Sequence, residues 1–527
     1  MTWISKPYLF FTLLCALVYA PFSAKPFHID SPVTVYVARQ LLVDPINPPL
    51  GDYGKLLAPW NHTGLPETSV FHITPHPPLI PLYLAPFIAL FGENEPVLNW
   101  AMFPFYAAMV LLFFALCGLL APRRRYEATL LFMLSPVVFV NAQNVMLDAP
   151  LAAFSMGTFF FAFRSRSAAN TLCAGLFAGL ACLTKFTGGA AVFGALVFYC
   201  AEKRWKNAAL FLLPVTLLYG AWMVHNAIAW GAIQLFASDH AHYLLGDIRY
   251  RFERLVSYLG GTIVFPPLLL ALILILRKYR TVTIAGFMLA GIWSLLLMTH
   301  LHYSPYSAIA YALSATAGIV LLFVMAGGIR ERSSQGMSLS LYALLQVTGG
   351  LFLTLYCVRY LLPFAFIAVI AWTKILDAGR LDKRWVWSVV IAVSALLSIV
   401  LSISDYQYVN AEKRIALDLK KEYGDRNVYF KGRLGYLYYM HKSGFHYFSS
   451  FETKVKSGDL LVWNCASHDD ASLFADTADL VARREFRYPV YPLRTMTGRA
   501  GFYGNDRLPY AWVGDPAARI FRVYEKK

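Results

Sequence analysis

Charge is scarce in this 527-residue chain. Asp, Glu, Lys and Arg make up 14% of it, where a soluble protein of this size carries about 25%. That deficit, beside a hydrophobic content of 58%, excludes an ordinary water-soluble globule. Cysteine is scarce as well. The seven are Cys15, Cys117, Cys173, Cys182, Cys200, Cys357 and Cys465. All but the last lie within apolar segments, and no CxxC pair occurs, which argues against a thiol redox or zinc–thiolate site. Cys465 stands alone in a polar tail, so that tail holds no internal disulfide. No solenoid-type repeat and no low-complexity tract is visible.

What the chain does have is a succession of apolar runs near 20 residues, the signature of membrane helices. About thirteen spans can be read on that criterion. They are 7–24, 97–120, 127–143, 149–163, 170–185, 187–201, 207–224, 256–276, 281–299, 307–328, 338–356, 360–376 and 385–403. The first reads as a retained helix and not a cleaved signal. The bulky Phe22 sits two residues before Ala24, where a small residue is preferred. The net charge of +16 is not a nucleic-acid signal here. Much of it sits in short clusters: Arg123-Arg124-Arg125, Arg164/Arg166, Lys203-Arg204/Lys206, Arg277-Lys278/Arg280, Arg330/Arg332 and Arg380/Lys383-Arg384. One cluster follows every second span, as expected if all face the cytoplasm. The N-terminus is then inside and the C-terminus outside, which fits a cell membrane of bacterial type with a periplasmic or extracellular tail.

The opposite face carries the longer connections. Residues 25–96 contain "HPPLIPLYLAPFIALFG", whose prolines each remove a backbone donor. This segment reads as an interfacial or re-entrant helix, tolerable only under a protein or cavity cover. Residues 225–255 hold His225, Asp239, His240, His242 and several Arg, and a short turn at 300–306 holds His300 and His302. The sequence changes character at 404. Residues 1–403 form the transmembrane unit, and 404–527 read as a small α/β domain. In that tail "YVNAEKRIALDLKKEYG" is an amphipathic helix ending at Gly424. "NVYFKG", "GDLLVWNC" and "ARIFRVYEK" are strands.

Ionisable residues gather on the outer side. Asp30 follows the first span. Asp148, in "NAQNVMLDAPLAAF", lies between the third and fourth. Lys185, in "GLACLTKFTGGAA", lies at the outer turn between the fifth and sixth. Arg359, in "VRYLLPFAF", opens the twelfth. His76 and the Asp239/His240 pair come from the long outer loops. Each has a bland reading. Asp30 and Asp148 stand where helix caps stand, Lys185 and Arg359 could snorkel, and any one histidine could be structural. "NHT" at Asn61 fits a glycosylation acceptor, a pattern with many chance matches. Their shared side points further, to an outward pocket for a phosphate-bearing lipid and a polar co-substrate. Arg and Lys suit a phosphate. A carboxylate suits a general base, and an Asp–His pair suits a divalent metal ion.

The order of these motifs resembles a known family. An acid just after the first span is followed by "HPPL" and "LFGENEP", then by Asp148, "GLFAGLACLTKFTGGA" and "RYLLPF". This resembles the C-type (GT-C) membrane glycosyltransferases of the protein-mannosyltransferase and aminoarabinose-transferase kind, glycosyltransferase family 39 and its relatives. The resemblance implies transfer of a sugar from a polyprenyl-phosphate carrier to a glycolipid, glycan or protein acceptor. The transfer takes place on the non-cytoplasmic face, with inversion. It implies Asp30 as base or orienting acid, Asp148 as a second acid at the same cavity, and Lys185, Arg359-Tyr360 and His76 at the donor phosphate. The pattern departs in places. Pro75-His76-Pro77-Pro78 stands where aminoarabinose transferases usually read Glu-Lys-Pro-Pro. Asp30-Ser31 replaces an acidic pair, and Asp239-His240 is the nearest match to a later Glu-His.

Two other classes remain open at this stage. A lipid or solute transporter would place ionisable groups near mid-membrane, with internal repeats. A non-catalytic assembly subunit would tolerate loss of Asp30. The orientation itself is testable. In a background freed of native cysteines, Arg123→Cys should resist a membrane-impermeant maleimide added outside intact cells, and Ser457→Cys should react. The reverse result refutes the topology.

Overall fold

Without water to bond to, the backbone of an apolar run must satisfy itself, and helices do so locally. The computed structural model describes residues 6–58, 63, 65–237, 248–263, 280–301, 304–330, 333–352, 356–378, 383–448, 455–464, 479–497, 500–504, 506–513 and 518–527, and within these it is mainly helical. Among the described residues five helices are long and apolar enough to cross a membrane. They are Glu95–Leu120, Trp205–Trp230, Arg280–Thr299, Pro305–Ala326 and Arg384–Tyr423. Shorter apolar helices include Lys6–Phe22, Leu79–Phe91, Ala168–Thr184 and Phe186–Ala201. The chain is an integral membrane protein.

Several expected spans are broken where the sequence gives a reason. Segment 127–143 is two helices, Arg125–Leu134 and Pro136–Ala142, because Ser135 is extended (φ −72°, ψ 146°) ahead of Pro136. The 207–224 span is longer than expected and carries a π turn at Thr216–Gly220, just after Pro214. The twelfth begins as a 3-10 turn, Val358–Phe364, before the α-helix Ala365–Ala378. Of segment 256–276, residues 256–261 end the helix Ile248–Gly261, and those beyond 263 lie outside the described residues. Asn61 and Cys465 lie outside them too. The proline-rich helix Leu79–Phe91 has 13 residues with Pro86 inside. At about 20 Å it is too short to cross the ~30 Å hydrocarbon core.

Residue 404 does not interrupt the backbone. The last span runs on as one 40-residue helix, Arg384–Tyr423, about 60 Å long. Its outer half buries Tyr408, Val409, Ile415, Ala416 and Leu419 against the tail. The tail holds β1 (Val428–Phe430), the helix Leu434–Lys442, β2 (His446–Tyr447), β3 (Leu460–Asn464) and β4 (Leu480–Pro489). Short strands follow: β5 (Leu493–Arg494), β6 (Met496–Thr497), β7 (Ala500–Gly501) and β8 (Ala511–Trp512). The last is β9 (Ala518–Lys526). The main sheet has the order β2-β1-β3-β9-β4, with β1 parallel to β2 and β3, and β9 antiparallel to β3 and β4. The three strands expected from sequence are β1, β3 and β9. Small ribbons β5–β8 and β6–β7 reach back toward the helices.

The tail lies on the same end of the molecule as the 25–96 connection. Tyr439 Oη donates to Glu95 at 2.8 Å, Tyr438 Oη to Glu93 at 2.7 Å, and Lys413 pairs with Glu95 at 2.5 Å. The Phe27 N–H donates to Tyr439 Oη at 2.7 Å. Arg123–Arg125 stand at the other end of the 26-residue helix Glu95–Leu120, about 39 Å away. Where helices cross closely, glycine makes room. A Cβ on Gly318 would fall 1.9 Å from the Val256 carbonyl oxygen, and one on Gly260 would fall 1.8 Å from that of Ser314. Backbone cannot yield as a side chain can. Gly318→Ala should therefore lower stability by about 1–3 kcal/mol, read as a lower midpoint of thermal unfolding in detergent. An unchanged midpoint would show that the two helices do not meet there.

Candidate active site

The turn after the first helix delivers Asp30 to the start of the helix Ser31–Val43, in the N-cap position. Its carboxylate makes no cap bond to the helix. It instead accepts a hydrogen bond from Arg359 Nη2 at 2.5 Å. The cation is buried, its side chain 3% exposed, while that of Asp30 remains 39% exposed. Arg359 is held by its own surroundings. Its N–H donates to the Phe502 carbonyl at 3.3 Å, Nη1 lies 3.4 Å from Met146 Sδ, and Nη2 lies 3.3 Å from Tyr360 Oη. Tyr360 follows Arg359 in the same 3-10 turn, Val358–Phe364, and its ring and hydroxyl lie against the guanidinium.

A second pair sits beside the first. Lys185 Nζ donates to Asp148 Oδ1 at 2.7 Å, and both residues are buried. Asp148 is the first residue of the helix Asp148–Arg164, one place past its N-cap Leu147. Lys185 ends the helix Ala168–Thr184 in extended conformation, its N–H still donating to the Ala181 carbonyl. The chain then folds back so tightly that a Cβ on Gly188 would come within 2.3 Å of the Ala181 carbonyl carbon. That close approach accounts for glycine in "TKFTGG". The Tyr360 ring joins the two pairs, with Lys185 Nζ 4.4 Å and Arg359 Cζ 5.0 Å from its centroid. An ionised group inside a membrane protein costs on the order of 2.5–3.5 kcal/mol. Each of these four charges offsets that cost with a partner. Capping and snorkelling both give way to ion pairing.

Asp30, Asp148, Lys185, Arg359 and Tyr360 thus form one contiguous cluster. His76 is close enough to act on Asp30 electrostatically. Its loop is fixed by Gln234 Nε2, which donates to the Thr74 carbonyl at 2.8 Å. Asp239 and His240 lie outside the described residues. Among the described residues no group of three or more His, Cys, Asp or Glu gathers that could hold a metal ion. Sequence reasoning missed the tail's part in the site, since nothing local marks Phe502 or Tyr503. It also noted the arginines of the 225–255 loop without singling out Arg254. That residue is 1% exposed and donates to the Tyr356 carbonyl at 3.4 Å, and the Tyr356 ring lies 5.9 Å from Tyr360.

An acid and two buried cations thus converge at one end of the helices. Residues 75–230 match the family described as dolichyl-phosphate-mannose-protein mannosyltransferase. That segment contains His76, Asp148 and Lys185. Over that segment the chain is similar to protein-mannosyltransferases, in line with the resemblance read from the motifs. No curated protein matches it. Solved structures show distant similarity. ArnT from Cupriavidus metallidurans bound to undecaprenyl phosphate is 14% identical, with a TM-score of 0.44 over 90% of this chain and 96% of that one. The oligosaccharyltransferase AglB from Archaeoglobus fulgidus, with an inhibitory peptide and a dolichol-phosphate, is 13% identical, with a TM-score of 0.46 over 83% and 63%. The arabinofuranosyltransferase AftD from Mycobacteria is 13% identical, with a TM-score of 0.46 over 99% and 40%.

Burial alone would push the Asp30 carboxyl up, but Arg359, with His76 and Lys185 adding, holds it below the usual carboxylate range. Asp30 therefore stays ionised through the weakly acidic range, and its function is lost only as pH falls through that depressed value. Arg359→Gln removes the largest stabilising charge and leaves burial dominant. The acid limb of the pH–activity profile should then move to higher pH. A limb that stays in place would show that Asp30 does not control it.

Proposed function

We propose that this protein transfers a sugar from a polyprenyl-phosphate donor to a hydroxyl acceptor on the non-cytoplasmic face, with inversion at the anomeric carbon. The observation that carries the reading is the asymmetry of the Asp30–Arg359 pair. A partly open carboxylate sits against a fully buried guanidinium, with Lys185 linked to it through Tyr360. The lipid tail of the donor lies in the bilayer, so its phosphate stands at the interface beside this cluster.

In the proposed reaction the acceptor oxygen attacks the anomeric carbon and its proton passes to Asp30. The bond from that carbon to the phosphate oxygen breaks. The polyprenyl phosphate departs with the electron pair, and Arg359 and Lys185 stabilise the charge that builds on it. The ion pair suits this order of events. An Asp30 neutralised by Arg359 is a weak base. A donor phosphate that takes up the guanidinium frees the carboxylate, and burial then raises its affinity for a proton. The base is therefore strengthened when the donor arrives. Asp148, buried on Lys185, acts through that lysine. His76 stands at the edge of the phosphate site, and a divalent metal ion held by Asp239 and His240 remains part of the proposal.

Asp30→Asn should lower transfer by about 10²–10⁴-fold with donor affinity retained. Asp148→Asn leaves Lys185 without its partner and should raise the donor KM more than it lowers kcat. Membranes bearing each variant, supplied with a labelled polyprenyl-phosphate sugar and candidate glycolipid, glycan and protein acceptors, decide the matter. Parental rates in both variants would refute the site.

A further inference from the structure

The turn that carries Asp30 is strained. Ile29 has φ +50°, a left-handed backbone that a β-branched residue rarely adopts. Its side chain is 4% exposed and packed into the helical core. Strain of this kind persists only where the surroundings hold it on both sides. On one side Asp30 is tied to Arg359. On the other lies a set of buried groups that the reaction above does not use. Lys25 Nζ donates to Asp405 Oδ2 in an ion pair whose side chains are both 0% exposed. His28 Nε2 lies 3.3 Å from Asp405 Oδ1, and the His28 carbonyl accepts from the Ser31 N–H at 2.9 Å across the turn.

The tail closes this set. Thr495 Oγ1 donates to Asp405 Oδ1 at 2.7 Å, and Tyr503 Oη lies 3.4 Å from Oδ2. The Tyr503 ring packs edge-on against His28 with centroids 4.7 Å apart. Asn144 Nδ2 donates to the Tyr503 hydroxyl at 2.8 Å. The neighbouring Phe502 carbonyl holds the Arg359 N–H, and Met146, two residues beyond Asn144, touches the Arg359 guanidinium. One stretch of tail therefore grips both halves of the Asp30–Arg359 pair.

We infer that Lys25, His28 and Asp405, closed over by Thr495 and Tyr503, are positioning residues that lock the left-handed turn at Ile29 and so aim the Asp30 carboxylate. The tail domain is then part of the catalytic apparatus without touching substrate. This rests on Asp30 as the base, so one arm of the test needs no sugar. The full chain is placed in lipid nanodiscs as the parent, as Lys25→Met/Asp405→Asn and as Tyr503→Phe. The double variant removes both charges, so no buried ion is left alone. Tyr503→Phe removes only a hydroxyl. Hydrogen–deuterium exchange is followed in the peptide spanning 26–35, and kcat and KM are measured with the labelled donor. The double variant should speed exchange at 28–31 and lower kcat about 10- to 100-fold, with donor KM unchanged. Tyr503→Phe should do the same to a smaller degree. Unchanged exchange in the double variant overturns the proposal. So does faster exchange with parental kcat, or a loss confined to KM. If the parent itself transfers no sugar, the functional reading fails separately, and exchange alone still decides whether the turn is locked.

Discussion

An ion taken out of water needs a counter-ion, and at the end of this protein that carries Asp30 that requirement shapes the structure. Arg359 and Lys185 are buried, and each is tolerable only against a carboxylate. The carboxylates come from distant parts of the chain: Asp30 from the first connection and Asp148 from the one between the third and fourth expected spans. Pairing them draws the first turn, two helix ends and a 3-10 turn to one place. The same rule governs Lys25 and Asp405, which are separated by 380 residues in sequence. Charge pairing thus closes the bundle where apolar packing alone would not distinguish one helix arrangement from another.

This arrangement gives chemistry and stability a common origin. The donor phosphate, on the reading above, enters as a third party to an existing pair. A cation that is already desolvated and fixed loses little on meeting the phosphate. A carboxylate already in place needs only to be released. The arrangement thus prepares the site for the transition state and not for either substrate alone.

Much of this was legible in the sequence. The apolar runs marked the helices, and the one-sided acids and bases marked the four charged residues that gather around Tyr360. Isolated residues gave the wrong reason for being there, since Asp30 stands at an N-cap yet caps nothing and Asp148 lies one place past the N-cap of its helix. The partner choices, Asp30 with Arg359 and Asp148 with Lys185, depend on tertiary packing that no local pattern encodes. The tail was legible as strands and a helix, but its reach into the site was not, because Thr495, Phe502 and Tyr503 look like ordinary loop residues. Asp405 could have been found. In "LSISDYQY" it stands at the end of an apolar run just as Asp30 does. Treating 404 as the start of a polar tail hid that parallel, although the helix passes through it unbroken.

The unbroken helix Arg384–Tyr423 has a mechanical consequence. With no loop along its length, that helix gives the sheet it carries no hinge. It is a rigid strut that moves with the membrane bundle. On the proposed function, a bulky lipid-linked donor then enters sideways, between neighbouring helices, while the water-borne acceptor approaches beneath the sheet.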